Sequence, residues 1–246
     1  MTKNRKLFED VDERSDSTQA SSIETLSVEQ SSWLKIWLWT LLISLISLIL
    51  VGGWTRLTDS GLSIVEWKPI TGMIPPFSSE GWIVEFEKYK SIPEFKLVNF
   101  AITMDEFKFI YWWEWGHRQL ARFIGLVWFL GFLILWITKQ IPKRWTFYFF
   151  GIGLLGALQA FLGWWMVSSG LDGQVVDVFS YRLAIHLTMA FIILGLIFWA
   201  ILFHSENSET IFESRRHRNK FSVNILIGLG VLCYVQLALG ALVAGI

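Results

Sequence analysis

A single cysteine in 246 residues removes several kinds of chemistry at once. Cys233 lies inside an apolar run, which excludes an intrachain disulfide, a thiolate-held metal cluster and thioether attachment of a prosthetic group. Proline is equally scarce. Pro69, Pro75, Pro76 and Pro93 fall in the polar stretch 55–111 and Pro142 in a short connection, so no apolar run is broken by one. The discontinuous helices of many transporters therefore have no proline signal here. An excess of charge is missing too: 21 basic and 21 acidic residues cancel, leaving no global field to recruit nucleic acid or acidic substrates. Residues 1 to about 32 contain no apolar core of the signal-peptide kind and are rich in Ser, Glu and Asp, so a disordered cytoplasmic tail is expected there.

What is abundant is apolar surface. Hydrophobic residues make up 53% of the chain, with 15 Trp and 20 Phe, far from the average for a soluble domain. About 20 mostly apolar residues cross a hydrocarbon layer, and five runs meet that length, near 33–54, 112–137, 145–167, 182–203 and 221–246. The fold class is all-α: an integral membrane helical bundle. Lys139, Lys143 and Arg144 in one connection, and Arg215, Arg216, Arg218 and Lys220 in the connection 204–220, contrast with 168–180, which has no Lys or Arg. The bias places the N-terminus in the cytoplasm and the long loop 55–111 outside. Trp33, Trp37, Trp39, Trp54, Trp112, Trp113 and Trp115, near span ends, fit interfacial belts.

A weak repeat runs through the spans. The first leads into Gly53, Trp54, Thr55, Arg56 and then Ser60, Gly61, Leu62; the third leads from Leu162, Gly163 into Ser169, Gly170, Leu171. Each is followed by an outer loop and a span with a His near its outer end. Gln236, Leu239 and Gly240 in the fifth echo Gln159, Leu162 and Gly163. The expected organisation is a four-helix half over 33–203, a cytoplasmic loop 204–220, and the start of a repeated second half at 221–246. The fifth run reaches Ile246 without a polar flank and is expected to be a helix cut short.

Two of the four histidines, His117 and His186, lie within spans, whereas His204 and His217 lie in or beside the basic loop. Ionisable groups inside a membrane are costly and default to functional candidates; the plainer alternative is an interhelical hydrogen bond. His117 follows the aromatic cluster Tyr111 to Trp115, and His186 lies about 7.5 Å inside Tyr181 at 1.5 Å per residue, so both imidazoles fall in the outer leaflet. Glu114, His117, Ala121 and Gly125 share one helix stripe, and Arg182, His186 and Ala190 another. Small residues beneath each His leave room for a flat macrocycle, although they also serve plain helix packing. Zinc wants three or four N, S or O ligands, while haem needs only one or two axial ligands, commonly His. Arg56, Arg118, Arg122 and Arg182 map to the outer end and suit haem propionates; for Arg118 the alternative is an ion pair with Glu114 four residues earlier. Glu114, three residues before His117, is placed to manage a proton or orient that His, or else is interfacial charge near a helix N-terminus.

The stretch Gly52 to Gly72, with Gly53-Trp54-Thr55-Arg56-Leu57-Thr58-Asp59-Ser60-Gly61-Leu62, resembles the first outer loop of haem A synthases of the mitochondrial and alphaproteobacterial type. Glu106 to Arg118, ending Trp113-Glu114-Trp115-Gly116-His117-Arg118, resembles that family's second-helix signature, and Gln159 to Leu171 and Ser180 to Leu187 its third and fourth helices. The resemblance runs from about residue 33 to the end. It implies an oxidoreductase that converts haem O to haem A, oxidising a ring methyl group by successive hydroxylations to a formyl group. It carries His117 and His186 over as ligands of the substrate haem and Glu114 as the acid essential to oxidation. It implies a second half holding haem B through another His pair, which lies outside this chain, so a fragment or a separate partner subunit is expected. Haem O synthase and the terminal oxidase are implied partners, and the cell inner membrane the implied location. The competing reading is a b-type cytochrome that only carries haem or electrons; a transporter is a third, but repeats offset by two spans are parallel rather than inverted. Segment 80–90, with Trp82, Phe86 and Tyr89 among charges, reads either as a short amphipathic helix on the membrane, where it would cap the pocket, or as a simple surface helix.

Overall fold

The computed structural model describes residues 32–171, 175–205, 213 and 219–245. The expected N-terminal tail, apart from its last residue, and Arg215, Arg216, His217 and Arg218 of the basic loop lie outside the described residues. The described chain is all-α: α1 (Ser32–Leu57), α2 (Ser79–Tyr89), α3 (Pro93–Leu97), α4 (Met104–Ile137), α5 (Lys143–Leu171), α6 (Ser180–Ser205) and α7 (Lys220–Ala244). Five of these, α1, α4, α5, α6 and α7, are long and apolar enough to span a membrane. The protein is an integral membrane protein.

Helix α1 buries Leu34, Trp37, Leu38, Leu41, Leu42 and Leu45, a three-and-four spacing that puts one continuous stripe toward its neighbours. It packs on α4 and α6, α4 also packs on α5, and α5 on α6, so four helices close a ring; α7 rests on α6. The inner half of the ring is an apolar core in which Phe149, Ile193 and Ile197 meet the α1 stripe. Its aromatic donors are spent on backbone carbonyls of neighbouring helices: Trp37 Nε1 donates to Val127 (3.0 Å) and the Tyr148 hydroxyl to Leu196 (2.7 Å). Such bonds satisfy polar atoms where water is absent.

A second core lies at the opposite end of the ring, the outer end in the orientation expected from the Lys and Arg bias, where Leu62, Ile64, Phe86, Tyr89 and Ile92 of the loop pack on Phe107, Ile110 and Tyr111. This core explains why α4 begins eight residues before the expected start at 112. Thr103 and Glu106 form a reciprocal capping box, with the Glu106 carboxylate 2.8 Å from the Thr103 amide. At 34 residues α4 is about 50 Å long, well beyond the ~30 Å hydrocarbon thickness. Its first turns are the post on which the outer loop is built. Helix α2 falls on the segment expected to be amphipathic; its Trp82, Phe86 and Tyr89 are taken up by protein, while Ile83 and Val84 stay exposed. Trp82 stacks edge-on against Tyr111 at 5.0 Å and Phe86 lies 4.9 Å from Phe107.

Glu94 is a discordant group in that outer core. It is buried, with its Oε1 accepting from Asn99 Nδ2 at 3.1 Å and its Oε2 unpartnered. Burial, reinforced by the negative charges of Glu114, Asp59 and Asp177, raises its pKa from 4.5 to about 8. The folded protein thus holds a proton that the unfolded chain releases above pH 4.5, and stability falls as pH rises from 4.5 to about 8. Glu94→Gln, which keeps the shape and removes the charge, is expected to flatten this slope and stabilise the outer loop by a few kcal/mol, on the order of 2–4, at alkaline pH. Limited proteolysis of the loop at about pH 6 and about pH 9 measures it; an unchanged slope in the variant assigns the pH dependence to other groups.

Candidate functional site

Between the two cores lies a layer with few aliphatic contacts. On α4 it falls between Trp115 and Ile124, and on α6 between Leu183 and Met189. His117 of α4 and His186 of α6 occupy it. Both rings are turned toward neighbouring helices, and Nδ1 of each is buried without a hydrogen-bond partner. Glycine makes room for them: a Cβ on Gly52 of α1 would stand 2.8 Å from Cε1 of His117, and one on Gly163 of α5 would stand 2.9 Å from Cε1 of His186. Gln159 donates to the His186 carbonyl at 2.9 Å, and its amide nitrogen comes within 3.4 Å of His186 Nε2. By contrast His204 is buried against Trp145 in the last turn of α6, where its Nδ1 meets the Ala200 carbonyl at 2.8 Å. Its polar atoms are spent locally.

Glu114 is buried one turn outward from His117 and holds the returning loop. After α1 the chain turns through Asp59, whose φ of 46° lies in the left-handed region, and doubles back over α4. Glu114 Oε2 then accepts from the Ser63 hydroxyl (2.8 Å) and the Ile64 amide (2.7 Å), while Oε1 takes Nε and Nη2 of Arg118 (3.1 and 2.5 Å). The helix-face ion pair weighed for Arg118 is thus present, and the same guanidinium reaches the carbonyls of Ile64 (3.0 Å) and Glu66 (3.3 Å). One turn further in, Arg122 binds the carbonyls of Pro69 and Lys68, both at 2.9 Å, and Gln119 that of Gly72 at 3.1 Å. Arg118 and Arg122 also line a cavity of about 310 Å³ with Lys68, Glu66, Glu85 and Tyr111. Nη1 of Arg122 is buried without a partner.

The other two arginines lie elsewhere. Arg56 bridges Asp59 (3.1 Å) and Asp177 (2.7 Å) and donates to the Ala244 carbonyl at the end of α7. Arg182 donates to the Trp165 carbonyl (2.6 Å) and covers the Trp165 ring at 4.4 Å. The structure therefore gathers Glu114, Arg118 and Arg122 into one polar clamp and separates Arg56 and Arg182 from it. Sequence reasoning gave Ser63 and Lys68 no role of their own and read Gln159 and Gly163 as repeat markers and as part of the third-helix resemblance, not as neighbours of His186. Their repetition at equal spacing was the available signal. Among the described residues, no three His, Cys, Asp or Glu side chains converge where they could hold a metal ion by themselves.

The family described as cytochrome oxidase assembly protein matches residues 35–246. The chain belongs to that family. Relatives within reach include the heme A synthase of Dinoroseobacter shibae, 49% identical over 255 residues, covering 100% of this chain and 65% of the relative. The heme A synthase of Cereibacter sphaeroides is 45% identical over 246 residues, covering 99% of this chain and 63% of the relative. That of Paracoccus denitrificans is 49% identical over 213 residues, covering 87% and 56%. This member of the family thus spans just under two thirds of the length of the curated relatives it matches. No solved structure matches it.

Proposed function

We propose that this chain is the haem O-binding part of a haem A synthase, an oxidoreductase that takes a ring methyl group of haem O to the formyl group of haem A. One observation carries the reading: two half-buried imidazoles on separate helices, each with a buried, unpartnered Nδ1 and each lying on a glycine of a neighbouring helix. A buried polar atom without a partner costs free energy, and a bound metal supplies what the protein withholds. The residues present therefore fit an iron porphyrin held between His117 and His186. When bound, haem supplies the iron and the methyl group; the protein supplies ligands, orientation and electrostatics.

Arg118 and Arg122, beside the cavity with Lys68, are placed to receive propionates, Arg122 through its free Nη1. Arg56 and Arg182 complete the outer rim on the same proposal, each after giving up a present contact. Glu114 is proposed as the acid at the ring edge. A second reading, a b-type cytochrome without oxidase activity, draws on the four donors that already fill the Glu114 carboxylate. We place the chain in the cell inner membrane with its N-terminus in the cytoplasm, between a haem O synthase that supplies the substrate and a terminal oxidase that receives the product.

Extraction and mass analysis of the haem bound to the purified chain tests the proposal. Haem O or haem A, retained in a His117-dependent way, is the expected result. Haem B alone favours the cytochrome, and a chain without haem defeats both.

A further inference from the structure

The two histidines share more than their depth. His117 of α4 lies on Gly52 of α1, and His186 of α6 lies on Gly163 of α5. Each imidazole thus lies against a bare Cα of a neighbouring helix in the same arrangement. Gly131 and Gly153 make room for Trp37 and Trp128 in the same way, whereas Gly53 and Gly195 have nothing within 4 Å of a built Cβ. At Gly52 and Gly163 the nearest atoms are those of the ring itself, at 2.8 and 2.9 Å, with both ring nitrogens next. An added methyl group would therefore meet the end of a side chain rather than backbone. Turning the ring relieves the collision, so the cost falls on the orientation of the imidazole.

We infer that Gly52 and Gly163 are positioning residues that set the depth and rotation at which His117 and His186 present their nitrogens to haem. The inference rests on the reading of those histidines as haem ligands. Ring orientation controls how a ligand's lone pair meets the metal, and groups that hold a ligating His contribute about 10–100-fold in metal affinity.

The test uses the full chain, purified with haem, in four variants. Gly52→Ala and Gly163→Ala are expected to shift the g values of the ferric haem in electron paramagnetic resonance and to weaken haem retention about tenfold or more. Gly53→Ala and Gly195→Ala, the same change in open space, are expected to match the wild type in both. Wild-type g values and retention in Gly52→Ala and Gly163→Ala would overturn the inference while leaving the histidines as ligands. A wild-type chain with no haem, or haem indifferent to loss of both histidines, overturns the parent reading and this inference with it, before any glycine is changed. Should the two alanine variants fail to accumulate, the doubles Gly52→Ala/His117→Ala and Gly163→Ala/His186→Ala decide: restored accumulation supports the inference, because the space then belongs to the ring, and continued failure overturns it.

Discussion

His117→Ala is expected to abolish haem binding while leaving the apo-protein folded, and His186→Ala to do the same. The combination matters more than either half. A buried His that serves the fold has its polar atoms engaged, and removing it costs both packing and hydrogen bonds. His204 is such a residue, with the Ala200 carbonyl on its Nδ1 and Trp145 against its ring, so His204→Ala should destabilise the chain and spare haem. At His117 and His186 the buried Nδ1 has no partner. Truncation there removes an unsatisfied polar atom, which offsets part of the lost packing, and leaves the folded apo-protein near its original stability. Haem content by pyridine haemochrome and thermal unfolding of the apo-protein separate the two quantities. Haem retained at wild-type stoichiometry in both variants would exclude the site between α4 and α6.

Glu114→Ala is expected to be the most destabilising single change at the site. Arg118 would be left largely buried without its carboxylate, and the Ser63 hydroxyl and Ile64 amide without their acceptor. Breaking a buried ion pair from one side costs about 3–5 kcal/mol. The loop from Ser60 to Gly72 should then become protease-sensitive, because Arg118 holds its Ile64 and Glu66 carbonyls from the same clamp. Glu114→Gln keeps one acceptor oxygen for Ile64 and Ser63 but sets an amide donor against Arg118, so the ion pair and its two hydrogen bonds are lost while the loop anchor stays, and a cost below that of alanine, about 1–3 kcal/mol, is expected. On the haem A synthase proposal Glu114→Gln retains haem but loses conversion of haem O. Wild-type product per bound haem in that variant would confine Glu114 to holding the loop.

Much of this architecture can be read from spacing alone, and the reasons are local. A membrane span must be long and apolar, which makes the five runs visible, and an imidazole inside one is costly enough to single out His117 and His186. The Arg118–Glu114 pair was legible as a four-residue interval. The true start of α4 was also written locally, in Thr103 and Glu106, but the polar first turns hid it behind a count of apolar residues. Other features carried no local mark. The loop carbonyls of Lys68 and Pro69 that hold Arg122 are 54 and 53 residues away in sequence. Nothing near Gly163 announces that its missing side chain leaves space for His186.

The sequence by itself determined the number of spans, the helical class and the two candidate ligands, because hydropathy, length and the cost of buried charge act within a few turns of one helix. Only the tertiary structure decided that α1, α4, α5 and α6 close a ring, that Arg118 and Arg122 leave Arg56 and Arg182 behind, and that each imidazole lies on a glycine. Those outcomes depend on which helix faces meet across the bundle, and helix periodicity specifies a face without naming its partner.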